Sequence, residues 1–323
     1  MKQRRLAAIL KPFYKQGCFY NYPGEPWANI GERMFRLISD GLINRIRYVT
    51  HNSVGWRAPI KPPQRSRQLL ITWIGHSTFL IQVGGYNILT DPIFGSPTFL
   101  FPRLAAPGIS FDQLPPIDMV IISHNHYDHM HGPSLKLIEK KHSPIFLVPQ
   151  GDKQWFDRRG FKKCREFMWW DEHRVCDATY TFLPAHHWSQ RGLFDRNRSL
   201  WGSWMLEIAG VTIYFAGDTA YGNHFIDIRN AFKPIDVALM PIGPCEPHDH
   251  MKECHVDAHQ ACEAFLDLQA KRFIPMHWGT FFFGTDSYDL PIQRLHGWWQ
   301  GKKQQLTDTH LHVLKIGQNF SLE

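Results

Sequence analysis

No apolar run in these 323 residues reaches the ~20 that a bilayer-crossing helix needs. Leu6 to Leu10 is too short for a signal-peptide core, so the expectation is a soluble or peripheral protein. Cysteine is sparse and unpatterned. Cys18, Cys164, Cys176, Cys245, Cys254 and Cys262 form no Cys-x-x-Cys pair and no His/Cys finger. That argues against a disulfide scaffold or a structural zinc finger and for reduced thiols in a cytoplasmic compartment. The glycine-rich loops that cradle phosphates, Walker or Gly-x-Gly-x-x-Gly, are missing. So is the Gly-x-Ser-x-Gly elbow of serine lipases. No repeat recurs at a period of about 20–50 residues.

Histidine is what the chain does have, and in a pattern. His124-Asn125-His126-Tyr127-Asp128-His129 places four ligand-type side chains within one loop, directly after the apolar run Met119 to Ser123 that reads as a buried strand. Two imidazoles one residue apart can share a metal, and the Asp and His behind them can turn to a second. Zinc suits both donor types, and two metals ~3.5–4 Å apart can activate one bridging water for hydrolysis. Three later strand-like runs end in further candidate ligands. They are Tyr180 to Trp188, Val211 to Thr219 and Arg272 to Gly279, which close on His186 or His187, Asp218 and His277.

In that order these motifs resemble the metallo-β-lactamase superfamily of metal hydrolases. Within it, the chain is similar to the N-acylphosphatidylethanolamine-hydrolysing phospholipase D family. Supporting strings include Gly75-His76-Ser77-Thr78, Leu89-Thr90-Asp91-Pro92 and Pro184 to Arg191, and the narrowing ones are His187-Trp188, Trp201-Gly202-Ser203-Trp204 and His277-Trp278-Gly279-Thr280. The likeness runs over about residues 66 to 316. It implies an α/β fold, an αββα sandwich of two mixed sheets flanked by helices, with the metals at one edge.

The resemblance also implies a ligand set for two Zn²⁺ per chain. His124, His126 and His187 would hold one ion, Asp128, His129 and His277 the other, and Asp218 would bridge them. The pattern Pro-x-x-His-Trp selects His187 and leaves His186 as its neighbour. Asp128 and His255 are the expected catalytic residues. His255 matches a His-Val-Asp segment and would touch phosphate or assist the leaving group, just before a helix that Asp257 would cap. Asp91 and His76 are expected behind the ligands. His131 stands where an acidic residue is common, which would alter hydrogen bonding around the site. His248, His250 and His259 read as surface or loop residues.

Residues 1–66 differ from the hydrolase domain expected over 67–323. They hold a basic start, a loop over Tyr20 to Pro26, a helix over Glu32 to Val49 and a basic Pro-rich connector, Pro59 to Arg67. Met34, Phe35, Ile38, Leu42 and Ile46 fall at helical spacing beside several Arg, a stripe suited to core packing or to a membrane interface. Farther on, Gln68 to Val83 and Tyr86 to Thr90 read as strands around Gly84-Gly85. Helical stretches follow at Pro133 to Lys141 and Asp257 to Leu268.

The implied reaction is phospholipase D-type hydrolysis of N-acylphosphatidylethanolamine to N-acylethanolamine and phosphatidic acid, with a metal-bridged hydroxide attacking phosphorus. A soluble substrate on the same fold, such as a sugar-phosphate lactone or cyclic nucleotide, is the alternative. The net charge of +7 suits an anionic surface. It also admits a nucleic-acid-processing member of the superfamily, but the interleaved aromatic and basic residues of single-strand binders are missing. The expected partners are therefore a phospholipid substrate and the anionic inner face of a membrane, touched peripherally. A homodimer is left open.

Overall fold

The computed structural model describes residues 11–21, 56–232 and 234–322. The amphipathic stripe of Met34, Phe35, Ile38, Leu42 and Ile46 lies outside the described residues.

The strands are β1 (Phe13–Lys15), β2 (Cys18–Tyr20), β3 (Leu70–Gly75), β4 (Thr78–Val83), β5 (Tyr86–Thr90), β6 (Met119–Ile121), β7 (Ile145–Pro149) and β8 (Cys164–Phe167). They continue with β9 (Glu172–Val175), β10 (Ala178–Leu183), β11 (Ser203–Ile208), β12 (Val211–Phe215), β13 (Val237–Pro241), β14 (Arg272–Met276), β15 (His310–Leu311) and β16 (Asn319–Ser321). β3 to β16 form two sheets of seven, ordered β16-β3-β4-β5-β6-β7-β8 and β15-β14-β13-β12-β11-β10-β9. Each sheet is antiparallel at one end and parallel at the other. Parallel neighbours need a crossover. Helices Gly132–His142, His224–Ala231, Ala258–Leu268 and Leu290–Lys302 supply crossovers.

The two-residue period of a strand sorts side chains to two faces. Phe79 and Ile81 of β4 and Met119 and Ile121 of β6 face the core between the sheets, against Tyr180, Phe182, Trp204 and Phe215. Their neighbours Leu80, Val120, Phe146 and Val148 face outward and are covered by Leu135 and Ile138 of helix Gly132–His142. Strands covered on both faces read as continuous apolar runs. The result is the expected αββα sandwich of two mixed sheets. Asp257 caps helix Ala258–Leu268, accepting from the Gln260 N–H in a full capping box.

Two local expectations change. The run Gln68 to Val83 is not one strand. It breaks at His76 and Ser77, where His76 takes a left-handed backbone (φ 53°) after a bulge at Trp73/Gly75. The break turns His76 toward the sheet edge, where the metal loop lies. His131 does not sit behind the metal ligands. Its Nδ1 accepts the Ser134 N–H and caps helix Gly132–His142, which explains an imidazole at that point.

Candidate metal centre

Loops at one edge of the sandwich deliver the predicted ligands. The loop after β6 brings His124, His126, Asp128 and His129. The ends of β10, β12 and β14 bring His187, Asp218 and His277. The edge is tightly built. Gly217 has φ +60°, and a Cβ there would lie 2.5 Å from Ser123 Cβ, so the turn into Asp218 requires glycine. Asp91 (φ 34°) and His277 (φ 64°) are also left-handed, and non-glycine residues in that region cluster at functional sites.

The donors fall into two groups that meet at Asp218. In the first, His126 Nδ1 lies 2.8 Å from His124 Nε2 and 3.3 Å from His187 Nε2. Tetrahedral ligands at ~2.0–2.1 Å from one ion are ~3.3 Å apart, so these three nitrogens fit a shared ion. In the second, His129 Nε2 is 3.3 Å from both Asp128 Oδ2 and Asp218 Oδ2, and His277 Nε2 is 3.1 Å from Asp218 Oδ2. Asp218 Oδ2 also stands 4.0 Å from His124 Nε2 and 3.9 Å from His187 Nε2, between the two groups. His126 Nε2, His129 Nε2, His277 Nε2 and Asp218 Oδ1 are buried with no hydrogen-bond partner. Orphans of that kind are costly in a folded protein. For His129, His277 and Asp218, bound cations would satisfy them.

Each Nε2 ligand is fixed from behind. His187 Nδ1–H donates to the Cys254 carbonyl (2.8 Å) and His277 Nδ1–H to the Gly243 carbonyl (2.8 Å). His129 Nδ1 bonds Asp91 Oδ2 at 2.7 Å, and His124 Nδ1 meets Ser123 Oγ at 2.9 Å. Asp91 accepts from both the Ser123 N–H and its hydroxyl. These contacts set the tautomers that leave Nε2 free for metal.

The charges call for a cation. Burial pushes the His124 pKa well down, the His126 value to about 4 and the His187 value to about 3, so these rings are neutral ligands. Burial opposes a charge on His129 too, but Asp218 and Asp128 outweigh it and raise its pKa. Burial likewise opposes the charge on the two carboxylates, and His129 outweighs it. The carboxylates thus hold positive charge at this point, a place a metal ion can take over.

His76 sits behind Asp128, its Nε2 3.0 Å from Asp128 Oδ2 and its ring 4.2 Å from that of His277. His255 is partly exposed, at 15% of its side chain, with Nδ1 3.6 Å from Asp218 Oδ2, and falls in donor groups with His187 and Cys254 and with Asp218 and His277. His186 is not among the clustered donors. Its backbone bonds Thr219 and Ala220. Two supporting residues escaped the sequence reading. Arg191 donates through Nη1 to the Asn125 and Met130 carbonyls, both at 2.8 Å, pinning the two ends of the metal loop. Its guanidinium lies over Tyr127 and Trp155. The motif ending in Arg191 was visible, but not its target. Asn21 bonds the backbone of His187, and nothing local in the sequence signals that.

Residues 86–278 match the beta-lactamase superfamily domain. The N-acyl-phosphatidylethanolamine-hydrolyzing phospholipase D 1 of Caenorhabditis elegans is 31% identical over 77% of this chain and 75% of that protein. A metal-dependent hydrolase of Koribacter versatilis is 34% identical over 66% of this chain and 85% of its own length. Among solved structures, the metallo hydrolase Igni18 of Ignicoccus hospitalis shares the fold, with a TM-score of 0.60 at 22% identity over 79% of this chain and 99% of that one. With its donor clusters at the edge of two mixed sheets, the chain is a metal-dependent hydrolase that belongs to the metallo-β-lactamase superfamily and, within it, to the family of the N-acylphosphatidylethanolamine-hydrolysing phospholipases D.

Proposed function

We propose that this protein is a dinuclear zinc phosphodiesterase of phospholipase D type, cleaving N-acylphosphatidylethanolamine to N-acylethanolamine and phosphatidic acid. The observation that carries the reading is the meeting of two donor groups at Asp218 Oδ2, in a chain similar to a phospholipase of that name. A zinc pair held this way would supply a water acidic enough to attack at neutral pH and would polarise a phosphoryl oxygen. His124, His126 and His187 would hold one ion, and Asp128, His129 and His277 the other. Asp218 stands between the two donor groups, and Asp91 fixes the His129 ring.

His255 is held neutral, its pKa pushed to about 3 by burial. It therefore serves as a hydrogen-bond donor to the phosphate or the leaving oxygen, not as a charged acid. His255→Ala should keep both metals and lower turnover on the order of 10²-fold. Unchanged lipid turnover would return His255 to a structural role.

A lipid surface as partner is supported by apolar side chains on loops beside the site. Leu193, Phe194 and Phe99 are 86%, 87% and 77% exposed. The first two follow Trp188, whose ring lies 4.2 Å from that of His126. Phe99 precedes Phe101, which packs on Phe283 beside His277. Apolar tips of this sort suit the headgroup boundary of a membrane contacted peripherally. The Koribacter relative is named only as a metal-dependent hydrolase, and a soluble substrate on the same fold is the competing reading.

The test compares a diacyl substrate in anionic vesicles with a short soluble phosphodiester. Leu193→Asp with Phe194→Asp should weaken vesicle binding and lipid turnover about 30-fold and spare the soluble diester. Two added charges at an anionic surface, at ~1 kcal/mol each, account for that order. Hydrolysis of the soluble diester alone would select the competing reading.

A further inference from the structure

The side chain that holds the His187 peptide comes from the far end of the chain. Asn21 directly follows β2. Its Nδ2 donates to the His187 carbonyl at 3.0 Å, and its Oδ1 accepts the His187 N–H at 3.2 Å. The same oxygen accepts Trp201 Nε1–H at 3.1 Å. One carboxamide therefore satisfies both backbone groups of a metal-facing residue, as a neighbouring strand would. Only one orientation of the amide works, since a flip would set its NH₂ against two N–H donors. The segment bearing Asn21 is itself anchored. Phe19 is 4% exposed, its N–H donates to the Asn197 carbonyl at 2.8 Å, and its carbonyl accepts from Asn197 Nδ2 at 3.2 Å.

The other constraint on His187 is its ring. Nδ1–H is bound to the Cys254 carbonyl, which fixes rotation of the imidazole but not the place of the backbone that carries it. His187 lies beyond the last residue of β10 (Leu183), so the sheet ladder does not hold it. Among the described hydrogen bonds, Asn21 is what bonds both the N–H and the carbonyl of His187, while the preceding residue is held separately, its carbonyl accepting the Ala220 N–H and its N–H donating to Thr219 Oγ1.

We propose that Asn21 is a positioning residue of the metal centre, placing His187 so that its Nε2 converges with His124 Nε2 and His126 Nδ1. This rests on the metal reading above and extends the site into the N-terminal segment. An amide at this point buttresses one metal position and not the other, because the described hydrogen bonds of Asn21 go to His187 and Trp201 and none to Asp128, His129 or His277.

The experiment uses the full chain loaded with zinc and a chromogenic chelator, following release of each equivalent. Residues that orient a ligand from behind typically govern metal affinity by about 10–100-fold. Asn21→Ala should loosen one zinc equivalent by that order and leave the other as in wild type. Melting of the metal-free protein should stay close to wild type. Asn21→Asp keeps both accepting bonds but sets a carboxylate oxygen against the His187 carbonyl in place of the donor. It should loosen the same equivalent and leave the other as in wild type, and it serves if the alanine variant does not fold. Release of both equivalents in step with a lowered metal-free melting temperature would make Asn21 a structural residue and overturn the proposal. So would wild-type retention of both. A wild-type protein that holds no zinc would instead overturn the metal reading itself.

Discussion

Asp218→Asn should abolish most turnover, by at least about 10²-fold. Residues that merely orient a ligand govern about 10–100-fold in affinity or activity, and Asp218 does more than orient. Its Oδ2 lies within 4.0 Å of imidazole nitrogens from both donor groups. An amide keeps the shape but removes the negative charge, and a neutral oxygen bridges two cations poorly. The loss should appear in kcat, with the fold intact by circular dichroism. Wild-type turnover with metal retained would remove Asp218 from the site.

The second large effect separates two adjacent histidines. His187→Ala should release metal from the His124, His126 and His187 group and reduce activity by a similar order, about 10²-fold. It removes a ligand outright and leaves the buried His124 and His126 nitrogens facing a gap. His186→Ala should keep metal and show at most a mild defect, because the His186 ring is outside the donor clusters. Metal content by elemental analysis and turnover, measured on both variants, decide it. The reverse pattern would mean that the loop after β10 is read one residue out of register.

The candidate ligands are legible because each announces itself locally. His124 to His129 form a single motif, and His187, Asp218 and His277 each close an apolar run that becomes a strand. The resemblance supplied the two-sheet sandwich, which alternation of strands and helices does not by itself specify. What could not be read depends on pairings made only in three dimensions. His76 was visible as a histidine between apolar runs. That the backbone breaks there and turns its ring onto Asp128 depends on a left-handed residue that local apolar periodicity does not mark. His131 stands where the resemblance leads one to expect an acidic residue, and a helix start claims its nitrogen. Arg191 and Asn21 act on backbone carbonyls and amides 61 and 166 residues away, and main-chain targets leave no trace in side-chain sequence.

The arrangement divides labour by layer. Ligands converge on Asp218, the carbonyls of Cys254 and Gly243 and the Asp91–Ser123 pair set their tautomers, and Arg191 and Asn21 hold the backbones that carry them. A site held at this many points is pre-organised before metal arrives, which lowers the ordering cost of binding.

A metal titration decides whether two ions act together at one site. Chelator-stripped protein receives zinc in steps while phosphodiester turnover and bound metal are followed together. Activity should rise to its maximum at two equivalents per chain, with Asp218→Asn falling short at any metal level. Full activity at one equivalent, unchanged by the second, would contradict it.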